Sequence, residues 1–156
     1  MNILIKEHQQ LLRALLRHGV KFLLIGGYAV IYHGYERTTG DMDVWLQPSD
    51  QNKGPLLAAL REFGIEDEDV KAVSAIDLTR AQMFFVGEVP RRIDFLTKVT
   101  GIGFDEAFAA ANHFAIEGGQ VPVIQYHHLI LTKMTTGRAK DKADIEELQR
   151  IHKYKQ

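Results

Sequence analysis

The sequence predicts an α+β protein, a mixed β-sheet with helices packed on it, and three observations carry that prediction. Apolar runs of strand length recur along the chain, most clearly at 20–25, 41–46, 82–86 and 92–96. Other segments carry apolar residues at helical spacing and stop at glycine. Two tight reversals, Gly87-Glu88-Val89-Pro90 and Gly118-Gly119, join neighbouring strand-like runs as hairpins do.

Taken in order, Leu4, Leu11, Leu12, Leu15 and Leu16 mark a helix over 4–18 that Gly19 ends. Val20 to Ile25 is the first strand, and Tyr28 to Tyr32 starts a short helix after two glycines. Asp41 to Leu46 is the second strand. Ser49-Asp50 caps a helix whose apolar positions are Leu56, Leu57, Leu60 and Phe63, with Gly64 as its stop. The acidic run to Asp69 and the stretch Val70 to Leu78 fit a loop, a strand or a helical turn equally well. Gln82 to Val86 and Arg92 to Leu96 form a hairpin, and a helix follows around Phe104 to Ala111. Phe114 to Ile116 and Val121 to Ile124 form the second reversal. Tyr126, Leu129, Ile130 and Met134 trace the apolar face of a further helix, and Ile145, Leu148 and Ile151 that of a last one.

Composition narrows the function. At 156 residues, 46% apolar and 25% charged, the chain suits one soluble domain with a buried core. It has no cysteine, which rules out disulfides and zinc–thiolate sites and suits a reducing cytoplasm. No apolar run reaches the ~20 residues of a membrane helix, and the N-terminus lacks the layout of a signal peptide, so no membrane partner is expected. A net charge of −1 gives no global attraction to nucleic acid. The two serines, Ser49 and Ser74, sit in no nucleophile-elbow context, and adjacent His127 and His128 cannot converge on a metal from one helix.

The chemistry concentrates in GGYAVIYHGYERTTGDMDV, which starts at Gly26, and in Asp94 of RRIDFLT. Gly26 and Gly27 close a strand at the mouth of a helix, where bare backbone N–H groups let a phosphate approach. Asp41 and Asp43, two apart on a strand, share one face. Ile93 and Phe95 face a core and turn Asp94 to the other side. Three acids held close need protonation, solvation or cations, and Mg²⁺ characteristically divides its shell between carboxylates and substrate phosphates. Arg37 offers a phosphate contact or a surface ion pair, and Thr39 a phosphate hydrogen bond or an ordinary strand-edge hydroxyl. Lys133 falls on or beside an apolar helix face, where its amine either meets an anion or snorkels to water. Asp141 either orients Lys133 or Arg138 or complements a helix N-terminus.

Gly26-Gly27, Asp41-x-Asp43 and Asp94 resemble the signature of the nucleotidyltransferase superfamily related to DNA polymerase β. The wording of the first block, with Lys133 and the segment Arg138 to Ile145, is most similar to the branch of AbiEii-type toxins and some aminoglycoside nucleotidyltransferases. The resemblance implies a minimal nucleotidyltransferase fold in a single domain. It implies transfer of an NMP from an NTP to a hydroxyl of RNA, protein or a small molecule, with pyrophosphate released. Asp41, Asp43 and Asp94 are then the catalytic residues and hold two Mg²⁺ ions; Gly26, Gly27, Arg37, Thr39 and Lys133 bind the nucleotide. Many members carry Gly-Ser where this chain has Gly26-Gly27, so position 27 offers backbone alone. The branch further implies a toxin–antitoxin role, with an antitoxin or a homodimer completing the site. A nucleotide-binding module of the same fold without turnover, or an NTP hydrolase, is the competing expectation.

Overall fold

The computed structural model describes residues 4–89 and 92–155. In chain order the elements are α1 (Lys6–Arg17), β1 (Phe22–Ile25), α2 (Gly26–Tyr32), β2 (Met42–Leu46), α3 (Lys53–Phe63), α4 (Asp67–Ser74), β3 (Met83–Val86) and β4 (Ile93–Leu96). Then come α5 (Phe104–Ala109), β5 (Asn112–Ile116), β6 (Gly119–Val123), α6 (Tyr126–Met134) and α7 (Ala139–Lys155). The strands form one six-stranded sheet in the order β3-β4-β2-β1-β6-β5. β1–β2, β3–β4 and β5–β6 are antiparallel, while β1–β6 and β2–β4 are parallel. The sheet is therefore mixed, as expected, and both hairpins form; Pro90 of the first turn lies outside the described residues.

The core explains why these segments adopt these elements. α1 buries Leu11, Leu12 and Leu15 completely, at the spacing that defined its apolar stripe. Each such leucine contributes about 1.5–3 kcal/mol of burial. β1 buries Phe22, Leu23 and Leu24, and β2 buries Met42, Val44, Trp45 and Leu46. Trp45 donates its indole N–H to the Thr97 carbonyl (3.2 Å) and packs edge-on against Phe104 of α5, with centroids 5.4 Å apart.

Three local expectations resolve differently or more sharply. The acidic stretch is helical: Asp67, Glu68 and Asp69 occupy the first turn of α4, where the helix dipole favours them, and Val70 and Val73 bury one side. Ser49 does not cap with its side chain; its hydroxyl donates to Gln47 Oε1 (3.1 Å), and a short 3₁₀ turn, Asp50–Asn52, leads into α3. Met134 is not on the buried face of α6: it is 65% exposed, while Lys133 is buried. The helix ends there, and the amine at 133 has partners in α7 that Met134 lacks the chemistry to meet.

Strand register sets up the site. Phe85, Asp94, Asp43 and Ile25 are successive Cα partners across β3, β4, β2 and β1. Directly paired residues share a face, so these four side chains form one row. The next row on that face is Met83, Leu96, Trp45 and Leu23. Trp45 and Leu23 are buried, whereas Met83 is 79% and Phe85 60% exposed. The face is covered over β1 and β2 and open over β3 and β4, and the two aspartates mark the boundary.

Candidate active site

Asp43 stands at the centre. Its carboxyl is raised from 3.8 to about 6, first by burial and then by the negative charges of Asp94 and Asp41; Lys140 and Lys133 partly offset this. Gly26 makes room for it. A Cβ at position 26 would lie 2.0 Å from Asp43 Oδ2, and the backbone there has φ +66°, a conformation that disfavours side chains. Gly27 has a second steric reason: its Cβ would lie 2.4 Å from the Thr39 hydroxyl, which donates to the Asp41 carbonyl (3.1 Å). The glycine pair thus lets the start of α2 close onto the Thr39–Asp43 segment.

Asp94, on the open side of Asp43, accepts a hydrogen bond from Arg92 Nε (3.1 Å). The Arg92 guanidinium also lies over the Phe85 ring, 4.3 Å from its centroid. Beside these acids, α6 and α7 bring together a buried ionic cluster. Lys133 Nζ donates to Asp141 (2.9 Å) and Asp144 (3.0 Å). Arg37 grips Asp144 with Nη2 (3.1 Å) and Nε (3.0 Å), tying the loop after α2 to α7. Asp141 also accepts from Thr136 (2.6 Å) and Arg138 (2.7 Å). Burial alone would raise the Asp141 carboxyl, but hydrogen bonds from Thr136, Lys133 and Arg138 overrule it and hold it down at about 2.

The three acids, the glycine pair and Thr39 are thus gathered at one end of β1 and β2. Arg37 and Lys133 come close as well, but each is already engaged by carboxylates. Asp141 pairs with both Lys133 and Arg138 and also stands in the first turn of α7, so both roles left open for it hold. The sequence did not mark Arg92 as a site residue, and it placed Asp144 in the motif from Arg138 to Ile145 without showing that it joins Arg37 to Lys133. Arg92 had a signal, since it precedes Asp94 by two on a strand and so shares its face. The main chains of His127 and His128 are held by Gln125, whose Oε1 accepts from both backbone N–H groups (2.9 and 3.2 Å).

The donor set fits a divalent cation in chemistry: carboxylate oxygens are hard ligands, and a cation would offset both the burial that chiefly raises Asp43 and the repulsion from Asp94 and Asp41 that adds to it. Among the described residues no three His, Cys, Asp or Glu side chains converge as a finished metal site. A cavity of about 510 Å³ lies elsewhere, walled by Trp45, Thr97, Phe104 and the 101–103 loop, with none of the three acids in its lining.

A mixed sheet with a glycine pair at the β1–α2 turn and aspartates in register on adjacent strands defines a protein of the nucleotidyltransferase class. The chain belongs to the family described as "Nucleotidyl transferase of unknown function (DUF2204)", whose model matches residues 5–156. Among solved structures it is similar to "Crystal structure of lincosamide antibiotic adenylyltransferase LnuA, lincomycin-bound". The TM-score is 0.60 at 16% identity, over 97% of this chain and 99% of that one, a likeness of fold. Comparison with curated proteins gives no match. No helix among the described residues is long and apolar enough to cross a membrane.

Proposed function

We propose that the chain, as one nucleotidyltransferase-like domain, transfers an NMP from an NTP to a hydroxyl acceptor and releases pyrophosphate. The observation that carries the reading is the pairing of Asp43 with Asp94 in register, with Gly26 closed against Asp43. Backbone N–H groups of Gly26 and Gly27, with the Thr39 hydroxyl packed beside them, form the phosphate side of the site. The cluster of Lys133, Arg37 and Arg138 with Asp141 and Asp144 has one more cation than anion, so it presents net positive charge toward the leaving pyrophosphate. Lys133 and Arg37 act through that field while their acids hold them in place. Lys140, whose charge reaches Asp43, adds to it. Asp41, Asp43 and Asp94 are the residues that would hold two Mg²⁺ ions, which would supply charge neutralisation at the triphosphate and acidify the attacking hydroxyl. In the transfer the acceptor oxygen bonds to the α-phosphorus, the bridging oxygen leaves with pyrophosphate, and Asp94 takes the acceptor's proton.

The acceptor is a hydroxyl of RNA, protein or a small molecule; the structural neighbour, a lincosamide antibiotic adenylyltransferase with lincomycin bound, supports including the last. The resemblance to AbiEii-type toxins extends the proposal to a cytoplasmic toxin–antitoxin component, with an antitoxin or a second copy as partner. Induced expression that arrests growth, relieved by Asp43→Asn, supports that role; harmless expression of an active enzyme contradicts it. The activity itself is tested with α-labelled NTPs, Mg²⁺ and an acceptor panel. Label on an acceptor, lost in Asp43→Asn, supports transfer. Free NMP without labelled acceptor indicates hydrolysis, and NTP binding with neither product indicates a binding module.

A further inference from the structure

The row Phe85-Asp94-Asp43-Ile25 orders the two halves of the reaction. Strands lie about 4.8 Å apart, so Phe85 sits one strand beyond Asp94 and two beyond Asp43, on the side away from Gly26. The phosphates approach from the glycine side, and the covered half of the face leaves no room there for a second substrate. An acceptor must therefore reach Asp94 across β3 and β4. That surface is apolar: Phe85 is 60% and Met83 79% exposed, on the same face as Asp94 and Leu96. Phe84, pointing the other way, stacks on Phe95 (centroids 5.4 Å apart), so Phe85 is held outward by strand alternation. Arg92 fixes one edge of the surface by spanning Asp94 and the Phe85 ring.

We propose that Phe85 and Met83, edged by Arg92, form the acceptor platform, and that it takes a small hydroxylated molecule with an apolar or aromatic face. This rests on the nucleotidyl-transfer reading. A polyanion fits poorly, because the exposed side chains Phe85 and Met83 are apolar and the Arg92 guanidinium is already turned onto Asp94 and the Phe85 ring. Two side chains on adjacent pleats also span about 7 Å along the strand, the size of one ring system.

The test uses protein labelled with ¹³C at the methionine methyls, with Mg²⁺ and α,β-methylene-ATP present. The chain supplies its own controls. Met134 is 65% exposed and far along α6, and so reports indiscriminate adhesion; Met42 is fully buried in β2 and reports the fold. Titration with phenyl β-D-glucoside is expected to shift the Met83 methyl and leave Met134 in place. Phe85→Ala, with an unchanged Met42 signal, is expected to weaken that response about tenfold. No Met83 response, or equal response at Met134, overturns the platform. A response to an octaribonucleotide but not to the glucoside overturns it in favour of RNA. A Met83 shift that follows protein concentration alone shows the edge strand pairing with a second copy, and overturns it as well. ³¹P spectra of the ATP analogue in the same samples separate the two readings: loss of analogue binding with the Met83 response intact defeats nucleotidyl transfer, not the platform.

Discussion

Replacing Asp43 by asparagine is expected to abolish transfer and, without divalent cations, to make the protein more stable. The carboxyl titrates at about 6 in the folded chain against 3.8 as its ordinary value. At ~1.36 kcal/mol per pKa unit, holding this charge in the fold costs about 3 kcal/mol once it is ionised. The direction follows from proton counts. As pH rises from about 4 to about 6 the unfolded chain has released this proton while the folded chain keeps it, so wild-type stability declines across that window and then levels. Asparagine keeps the shape and has no such window. Urea unfolding in EDTA should therefore show the two proteins nearly equal near pH 4 and the variant ahead by up to about 3 kcal/mol at pH 7.5. Adding Mg²⁺ with an NTP should stabilise wild type and not the variant, closing the gap. A variant no more stable than wild type at pH 7.5, relative to their difference at pH 4, would refute the claim that Asp43 is held under electrostatic stress awaiting a cation.

Gly26→Ala places a methyl 2.0 Å from Asp43 Oδ2 at φ +66°; it should cost ~1–2 kcal/mol from the left-handed backbone alone and slow transfer by displacing Asp43. Urea melts and single-turnover rates check both, and a variant with wild-type values shows that the close approach does not matter. Lys133→Met leaves Asp141 and Asp144 buried without their shared cation and should destabilise by ~3–5 kcal/mol; a loss below ~1 kcal/mol would mean that the cluster behaves like a surface ion pair. His8, fully buried and hydrogen-bonded to Tyr28 (2.7 Å), has its pKa lowered from 6.5, chiefly by burial. Its contribution is present above about pH 6.5 and fades as pH falls, opposite in sign to that of Asp43. Subtracting the pH profile of His8→Gln from wild type should isolate that acid-side loss, and parallel profiles would rule it out.

What was legible in the sequence was whatever a strict period encodes. Alternation put Asp41 and Asp43 on one face and turned Asp94 away from the core side of Ile93 and Phe95 before any register was known, and the register then brought Asp43 and Asp94 side by side. Helical spacing found the leucine face of α1 and flagged Lys133 as a misplaced cation four residues after Leu129. Asp141 was weighed as a partner of Lys133, but the second partner, Asp144, was not legible, because it reaches the amine through the crossing of α6 and α7, a tertiary fact with no sequence period. Arg37 was weighed as a phosphate contact or a surface ion pair, and the acid it meets, Asp144, is buried and 107 residues away. The valines of α4 were hidden by an acidic run that reads as loop until the helix dipole is counted. Met134 was misassigned because an apolar residue one step past the last buried position still fits the pattern. Met83 and Phe85 drew no notice at all, since exposure on an edge strand depends on what fails to cover it.

Nucleotidyl transfer by these aspartates is tested by the transfer of α-labelled nucleotide to an acceptor, with wild type, Asp43→Asn and Asp94→Asn compared at equal folded concentration. Wild type should give labelled acceptor and stoichiometric pyrophosphate, and the two variants neither, while both remain folded. Transfer that persists in either variant, or NMP released with no labelled acceptor, would contradict it.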